Sequence, residues 1–369
     1  MASLHPAASP LVVGLRLIGL YRRVNKGSTS SQLIRGTGVV VSPVGSRLLL
    51  GVAAWSVRRR HRLMRTLAVA GVAVGCAAGT LFACSGRSPV LGVALVVPSS
   101  SHDPRPAAGG APVDAALFAA GSCVAFAPTS GDRHLTVFLD AGHGGPDPGG
   151  QGVTQTGRAI NEEALTLPVV LDAAGLLRAK GFRVVLSRTT SGPVERLQPG
   201  DLSNGLFSIV GEHRDTAARP LCADRAGAAV LVSVHFNVGS SPANAGTLTT
   251  YDAARTFARR NLALARLLQT DMVKAFATQS GWQIPNDGVV TDDTVGNALT
   301  SAGAAYGHLL VLGPAAVGYF TTPSTMPGAL IEPLFLTDPF EGSIAASTRG
   351  QRIMAEAITQ AISTYLGVR

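Results

Sequence analysis

The amino-acid sequence predicts an α/β protein: a mostly parallel, twisted sheet with helices on both faces, formed by a single domain. From about residue 135 onward, short runs of aliphatic and β-branched residues alternate with longer segments of helical periodicity. The short runs are apolar almost throughout, which is typical of parallel strands that helices cover on both sides. Hydrophobic residues make up 46% of the chain and charged residues 14%, so a large core can form.

The elements of this fold can be placed in order along the chain. Gly181 marks the end of the first helix, because glycine readily adopts the left-handed backbone that follows a helix C-terminus. Pro168 suits a helix only in its first turn, so we expect this helix to begin later than its pattern suggests. Strands are expected at residues 135–139, 182–186, 230–234 and 329–331, and helices at residues 162–180, 217–228, 253–275 and 350–366.

Charge is distributed unevenly along the chain. The 369 residues carry a formal net charge of +9, but residues 1–105 carry +12 and residues 106–369 carry −3. The body of the protein therefore lacks the basic surface that binding to a nucleic-acid backbone requires. We exclude nucleic acid as a partner on this ground.

The N-terminal region has the features of an export signal. A basic block at residues 58–65 precedes an uncharged apolar run at residues 67–83, which predicts a signal peptide at residues 64–84. Cys84 follows Leu-x-Ala, as at bacterial lipid-attachment sites, and Cys76 is a competing position. We expect export to the periplasm or cell wall. The membrane would be contacted only through the signal or through a lipid that anchors the protein to its outer face.

The remaining N-terminal segments differ in composition from the body. Residues 1–63 fit no signal; translation from Met64 would explain them, and otherwise we expect them to be poorly ordered. Residues 85–132 are rich in Pro, Ser, Gly and Ala and predict a flexible linker before a folded domain at residues 133–369. Cys123 and Cys222 could form a disulfide in an oxidising compartment, or they could be two isolated buried thiols.

Four polar side chains stand at or beside the ends of predicted strands. His235 and Glu332 directly follow their strands, and His143 lies four residues past Leu139. Glu162 opens the first helix. Taken singly, a histidine at a strand end is usually part of a structural hydrogen bond, and a glutamate suits the first turn of a helix. Because the carboxyl ends of parallel strands share one edge of a sheet, we expect all four side chains to converge there.

These residue types suit a catalytic zinc site. Two imidazoles and one carboxylate, with a fourth position open, form a common zinc shell, so His143, Glu162 and His235 are the candidate ligands. Zinc lowers the pKa of a bound water to about 7, and a second carboxylate must then take the proton of that water. Glu332 is the candidate for this role. Glycines at positions 142, 144, 145, 149 and 150 let the backbone bend around the metal and admit a bulky substrate.

Longer motifs surround these residues. In chain order they are Leu139-Asp140-Ala141-Gly142-His143-Gly144-Gly145, Glu162-Glu163-Ala164-Leu165-Thr166-Leu167, Gly181-Phe182-Arg183-Val184-Val185-Leu186-Ser187-Arg188, Ser233-Val234-His235-Phe236-Asn237 and Ala329-Leu330-Ile331-Glu332-Pro333. They resemble the motifs of zinc-dependent N-acetylmuramoyl-L-alanine amidases of the amidase 3 type. In that family the glutamate of the second motif stands five residues before a leucine, which selects Glu162 over Glu163. The resemblance covers about residues 135–366.

The resemblance implies an activity and a set of roles. One zinc ion per chain would be held by His143, Glu162 and His235, with Glu332 as general acid and base. The reaction would be hydrolysis of the amide between the lactyl group of N-acetylmuramic acid and L-alanine, in peptidoglycan or a muropeptide. The neighbouring motif residues expected to contact this substrate are Asn237, Gly144 and Gly145. We expect a monomer.

Two segments look like insertions, at residues 189–215 and 279–326. Either could cover the cleft and gate the substrate, or be simple surface elaboration. We expect their histidines, His213 and His308, to be structural or exposed rather than metal ligands. Two other functions stay open: a zinc peptidase that cuts the stem peptide, and a non-catalytic wall-binding protein of the same fold.

Overall fold

The structure is a computed structural model that describes residues 109–294 and 300–368. The stretch 1–63, the predicted signal peptide 64–84 with Cys84, and the predicted linker as far as residue 108 lie outside the described residues. Within the described part of the chain, no helix is long and apolar enough to span a bilayer.

An eight-stranded mixed sheet forms the centre of the domain, in the order β1-β2-β6-β3-β9-β12-β10-β11. The strands are β1 (Ala111–Pro112), β2 (Ser122–Phe126), β3 (Thr136–Ala141), β4 (Gln151–Val153), β5 (Ala159–Asn161), β6 (Arg183–Arg188), β7 (Leu202–Ser203), β8 (Leu206–Phe207), β9 (Val230–Val234), β10 (Thr247–Tyr251), β11 (Asn286–Thr291) and β12 (Gly328–Glu332). The helices are α1 (Glu162–Ala179), α2 (Ile209–Arg225), α3 (Ala258–Gln279), α4 (Ser301–Tyr306), α5 (Pro339–Ala345) and α6 (Thr348–Tyr365), with a 3₁₀ turn at Asp292–Thr294.

The predicted α/β class is confirmed, with a sheet that is parallel in its centre and mixed at its sides. Strands β6, β3, β9 and β12 run parallel to one another, so their carboxyl ends meet at one edge. Strand β2 is antiparallel to β6, and β10 is antiparallel to β12. The outermost strand, β11, is parallel to β10.

Both faces of the central strands are apolar, as their continuous hydrophobic runs predict. On β3, Val137 and Leu139 belong to the core that includes residues of α1, α3 and α6, whereas Phe138 belongs to a second core that includes residues of α2. Successive side chains of a strand point to opposite faces, so a fully apolar strand needs a cover on each. The structure joins Cys123 of β2 and Cys222 of α2 in a disulfide on the second face.

The expected linker does not extend to residue 132. All five residues of β2 are buried, and the strand pairs with β6 from Ser122 to Phe126. The folded domain therefore includes residues whose composition predicts a tether. Ala111 and Pro112 form the short strand β1, which pairs with β2 at the border of the sheet.

The first helix begins at Glu162 and not later, so the expectation drawn from Pro168 is wrong. The backbone amides of Glu162 and Glu163 donate to the carbonyls of Gly150 and Pro148, which satisfies the start of the helix. Pro168 lies in the second turn and removes one helical hydrogen bond, at a cost of about 3 kcal/mol. Burial of the neighbouring Val169 and Val170 offsets this cost.

Other boundaries shift for local reasons. Helix α2 starts eight residues before the expected position because the Ser208 side chain caps it, accepting from the amide of Gly211. Helix α3 starts later than expected because the Asp252 carboxylate holds the preceding backbone in a turn. The segment 279–326, expected as an insertion, contributes β11 to the sheet.

Candidate metal centre

Three of the predicted site residues meet at the carboxyl edge of the central strands. His143 follows β3, His235 follows β9, and Glu162 is the first residue of α1. His143 Nε2 lies 3.0 Å from Glu162 Oε2, His235 Nδ1 lies 3.0 Å from Glu162 Oε1, and the two imidazole nitrogens are 3.1 Å apart. The chain thus brings three ligand-type atoms from three separate elements to one point.

The carboxylate of Glu162 is buried and held from behind by backbone amides. Its Oε1 accepts from the amide of Phe236 (2.8 Å) and its Oε2 accepts from the amide of Gly150 (2.8 Å). The short hairpin of β4 and β5 leads directly into α1 and so fixes the position of this first helical residue. Burial opposes ionisation of Glu162, but the charges and hydrogen bonds of His143 and His235 outweigh it and hold the pKa of Glu162 well below its usual range.

His143 is oriented by a carboxylate on its far side. Its Nδ1 lies 2.6 Å from Asp147 Oδ2, and Asp147 Oδ1 accepts from the amide of Gly149. Such a carboxylate favours a proton on Nδ1 and leaves Nε2 free to face the site, as is usual for histidine ligands of metals. Burial alone would lower the pKa of His143, but the negative charges of Glu162 and Asp147 outweigh it and raise this pKa to about 10.

The donor set fits a zinc ion. In a tetrahedral site with metal–ligand distances of ~2.05 Å, neighbouring donor atoms lie roughly 3.3 Å apart, close to the spacing of the three atoms here. The charge also fits, because the carboxylates that raise the pKa of His143 attract a metal cation as they attract a proton. The backbone amides on Glu162 and the carboxylate on His143 supply the outer contacts that fix metal ligands in place.

Glu332 ends β12, beside the strand that carries His235. The amide of His235 donates to the carbonyl of Ile331, which sets Glu332 next to the three donors along the sheet edge. Within the described ranges no group donates a hydrogen bond to its carboxylate. Burial and the charge of Glu162 raise the pKa of Glu332 to about 7, although His143 opposes this.

A buried arginine, Arg219 of α2, holds the loop that carries His143. Its guanidinium donates to the carboxylates of Asp140 (2.7 Å) and Asp215 (2.8 Å) and to the carbonyls of Ala141 and His143 (both 2.8 Å). Burial alone would raise the pKa of Asp140, but the charge of Arg219 and hydrogen bonds from side chains outweigh it and lower this pKa. Arg219 thus supplies hydrogen-bond donors to backbone carbonyls at and just past the end of β3, where the candidate metal site begins.

A second buried arginine, Arg188 at the end of β6, holds the same loop from another side. It donates to the carbonyls of Ala141 (3.1 Å) and Gly142 (3.0 Å), and to the carbonyl of Glu163 (2.8 Å). Burial lowers the pKa of Arg188 to about 10. Its contacts tie the His143 loop to the first turn of α1, and so tie two of the three donors together.

Glycine is needed at position 142 because a side chain there would collide with the ring of His235. Gly144 and Gly145 both have positive φ angles and pack against Arg188 and Pro193, and Gly144 is buried. Gly145 is exposed, and the expected substrate contacts of Gly144 and Gly145 stay a prediction.

Asn237 lies next to the site on the chain after β9. Its backbone pairs with the Leu334–Leu336 segment, and its side-chain oxygen accepts from the amide of Val238. The side chain is half-buried. Its amide nitrogen is therefore the group that stays available for a substrate, and this role stays a prediction.

The first expected insertion packs beside the His143 loop. Ser191 donates to the carboxylate of Glu163 (2.7 Å), and its carbonyl accepts from the amide of Gly145. His213 stacks edge-on against Tyr319, with the ring centroids 4.7 Å apart, as expected for a structural histidine. Whether this segment gates a cleft stays a prediction.

Asp147, Arg188 and Arg219 were not among the predicted site residues. Asp147 lies four residues past a candidate ligand histidine, and Arg188 stands at a strand end inside a quoted motif, so both had visible signals. Arg219 had no local signal, because it sits in the middle of a helix whose partners lie far away in the sequence.

Comparisons with known proteins point to one family. The model of the Amidase_3 family, described as N-acetylmuramoyl-L-alanine amidase, matches residues 137–364. No curated protein matches the sequence. Similar solved structures include the N-acetylmuramoyl-L-alanine amidase from Clostridium difficile 630, at 26% identity and a TM-score of 0.44, which covers 63% of this chain and 97% of that one. The amidase AmiC2 of Nostoc punctiforme is 24% identical, with a TM-score of 0.43 and coverage of 64% and 99%. The CwlD amidase from Clostridioides difficile, solved in complex with the GerS lipoprotein, is 21% identical, with a TM-score of 0.48 and coverage of 64% and 100%.

Proposed function

Because the chain belongs to the N-acetylmuramoyl-L-alanine amidase family, we propose that it hydrolyses the amide between N-acetylmuramic acid and L-alanine through a zinc ion held by His143, Glu162 and His235. The observation that carries this proposal is the meeting of two imidazole nitrogens and one carboxylate at spacings of 3.0, 3.0 and 3.1 Å. The nearby Glu332 supports it further, because hydrolysis needs a group that moves a proton.

When bound, the zinc ion would act as a Lewis acid that polarises the substrate carbonyl and makes a water molecule nucleophilic near neutral pH. Glu332 accepts a proton from this water as its oxygen bonds to the lactyl carbonyl carbon. Glu332 then gives the proton to the alanine nitrogen as the carbon–nitrogen bond breaks. The products are a carboxyl group on the muramoyl side and an amino group on the peptide.

The surrounding residues hold this arrangement in place. Asp147 keeps His143 in the tautomer that presents Nε2, and the amides of Gly150 and Phe236 keep the Glu162 carboxylate turned toward both imidazoles. Asn237 binds the substrate through its side-chain amide nitrogen. Arg188 and Arg219 are positioning residues, because they act on the loop and not on the substrate.

The substrate of this reaction lies outside the cytoplasm, so the proposal includes export through residues 64–84. The basic block and the apolar run in the sequence support this, and Cys84 is the candidate for lipid attachment. Mass spectrometry of the mature N-terminus tests both. An N-terminus upstream of residue 64 would contradict export through this segment.

The variant Glu332→Gln tests the mechanism. Glutamine keeps the size of the side chain but cannot accept and return a proton, so turnover of purified muropeptides should fall ~10²–10⁴-fold while zinc content stays unchanged. The variant His143→Ala should lose both zinc and activity. Mass spectrometry of the products should show free L-alanine amino termini on intact stem peptides.

A matched control is Glu212→Gln. The charges of Asp147 and His143 act on Glu212 as well, so it is a second carboxylate near the site that lies outside the proposed machinery. This variant should keep its activity. Full activity of Glu332→Gln would end the assignment of Glu332, new ends inside the peptide would indicate a peptidase, and zinc without any product would favour a wall-binding role.

A further inference from the structure

A second group of ligand-type side chains lies at the opposite edge of the sheet from the metal centre. Asp252 directly follows β10, and Asp292 directly follows the parallel strand β11. Because β10 is antiparallel to β12, Leu248 near its start stands opposite Glu332. Four residues of extended chain at ~3.4 Å each put Asp252 roughly 14 Å along the sheet from the level of Glu332.

His308 supplies a third donor to this group. Its Nδ1 lies 3.0 Å from Asp252 Oδ2 and 3.3 Å from Asp292 Oδ1, and the donor atoms of the three residues lie within 4.8 Å of one another. Each aspartate is fixed by its other oxygen. Asp252 Oδ1 accepts from the amides two and three residues further along the chain, and Asp292 Oδ2 accepts from the amide of Leu309.

Protein groups alone leave this cluster unsatisfied. Asp252 is fully buried, and its Oδ2 has no hydrogen-bond partner. The Nδ1 of His308 carries at most one proton, and its hydrogen-bond geometry fits Asp292. In the part of the chain that the structure describes, no lysine or arginine lies within 4.0 Å of either carboxylate. A buried carboxylate oxygen without a hydrogen-bond donor is unfavourable, so a cation bound between the two carboxylates and the imidazole would stabilise the arrangement.

We propose that Asp252, Asp292 and His308 bind a second zinc ion, at a structural site separate from the metal centre. One imidazole and two carboxylates suit zinc better than calcium or magnesium, which prefer oxygen ligands throughout. The spacings of 3.0 and 3.3 Å match those of neighbouring ligands around zinc, and the backbone contacts of both aspartates orient them as outer contacts orient metal ligands.

The ion would fasten part of the segment 279–326 to the end of β10. Asp292 and His308 both belong to this segment, and Arg255, just after β10, already donates to the carbonyls of Leu312 and Gly313. His308 therefore receives a ligand role that its position in a surface segment did not suggest. The site is structural, because it lies at the edge of the sheet away from Glu332.

The test is a zinc titration of the full chain, stripped of metal with a chelator, by calorimetry. The wild type should bind two equivalents of zinc, and the double variant His143→Ala/His235→Ala should bind one. Adding Asp252→Asn should remove this last equivalent. Asparagine keeps the oxygen that accepts from the backbone amides, so the fold should persist, which far-UV circular dichroism checks. Asp293→Asn, at an exposed neighbouring position, is the matched control and should keep the equivalent.

If Asp252→Asn disturbs the fold, His308→Gln replaces it as the variant that removes a ligand. Binding of no zinc by the variant His143→Ala/His235→Ala, with its fold intact, would overturn the proposal. A second equivalent that survives both Asp252→Asn and His308→Gln would overturn it as well. Muropeptide turnover does not enter this measurement, so failure of the proposed amidase activity and failure of the second site are distinguishable.

Discussion

The variant Asp147→Asn probes how strongly the proposed zinc site depends on a residue that does not touch the metal. Asp147 uses both of its oxygens: Oδ2 lies 2.6 Å from His143 Nδ1, and Oδ1 accepts from the amide of Gly149 at 2.9 Å. An asparagine has one oxygen and one amide group, so it can accept from only one of these two donors. Its NH₂ must then face either the imidazole or the Gly149 amide.

Each orientation has a definite consequence. If the NH₂ faces His143 Nδ1, the imidazole must move its proton to Nε2, which removes the lone pair that should bind zinc. If the NH₂ faces Gly149, two donors oppose each other and the loop shifts. Loss of such an outer contact typically weakens metal binding 10–100-fold, or about 1.4–2.7 kcal/mol.

The assay is competition for zinc between the protein and a chromogenic chelator, together with muropeptide turnover. Both zinc affinity and activity should fall by the same 10–100-fold factor. Asp132→Asn is the matched control, because Asp132 pairs with His134 at 3.5 Å on an exposed surface, where the side chains are 53% and 86% accessible. Wild-type zinc affinity in Asp147→Asn, with an unchanged urea midpoint, would refute the reasoning.

Two further predictions concern stability, and urea unfolding of the full chain measures both. Arg219→Met leaves the two buried carboxylates of Asp140 and Asp215 without their partner and should lower the free energy of unfolding by about 3–5 kcal/mol. The control Arg352→Met removes one partner of an exposed pair and should lower it by no more than about 0.5 kcal/mol. Equal effects of the two variants would contradict the role of Arg219. The double variant Cys123→Ser/Cys222→Ser removes a disulfide between residues 99 positions apart and should lower the free energy of unfolding by about 2–5 kcal/mol. An unchanged urea midpoint would show that the disulfide does not stabilise the fold.

The central part of the fold could be predicted because its signals are local. Strand β9 is apolar in four of its five residues, and the expected range of 230–234 is the range in the structure. Parallel strands bring the residues after their carboxyl ends to one edge of the sheet, so His143 and His235 could be expected to meet before any distance was known. This prediction needed only the common direction of the strands and not their order in the sheet.

The borders of the sheet could not be predicted because their signals are weak or misleading. Strand β11 has the sequence Asn-Asp-Gly-Val-Val-Thr, and its first residues are poor strand formers. Strand β2 is embedded among prolines and glycines that indicate a linker. Both strands form through pairing with a neighbour rather than through their own propensity. The reversal of β10 against β12, which carries Asp252 to the other edge, has no signature in the sequence.

The buried arginines link the stability of the domain to the geometry of the metal centre. His143 has a left-handed backbone, with a φ of 61°, so the chain leaves the sheet there and its carbonyls lose their strand partners. Arg188 and Arg219 donate hydrogen bonds to the carbonyls of residues 141, 142 and 143, in a buried region where a carbonyl without a donor would be destabilising. The same contacts that stabilise this turn therefore fix the direction of the imidazole. Consequently, a substitution at Arg219 should lower zinc affinity together with the free energy of unfolding. Asp147→Asn, by contrast, should lower zinc affinity and activity without a comparable loss of the free energy of unfolding.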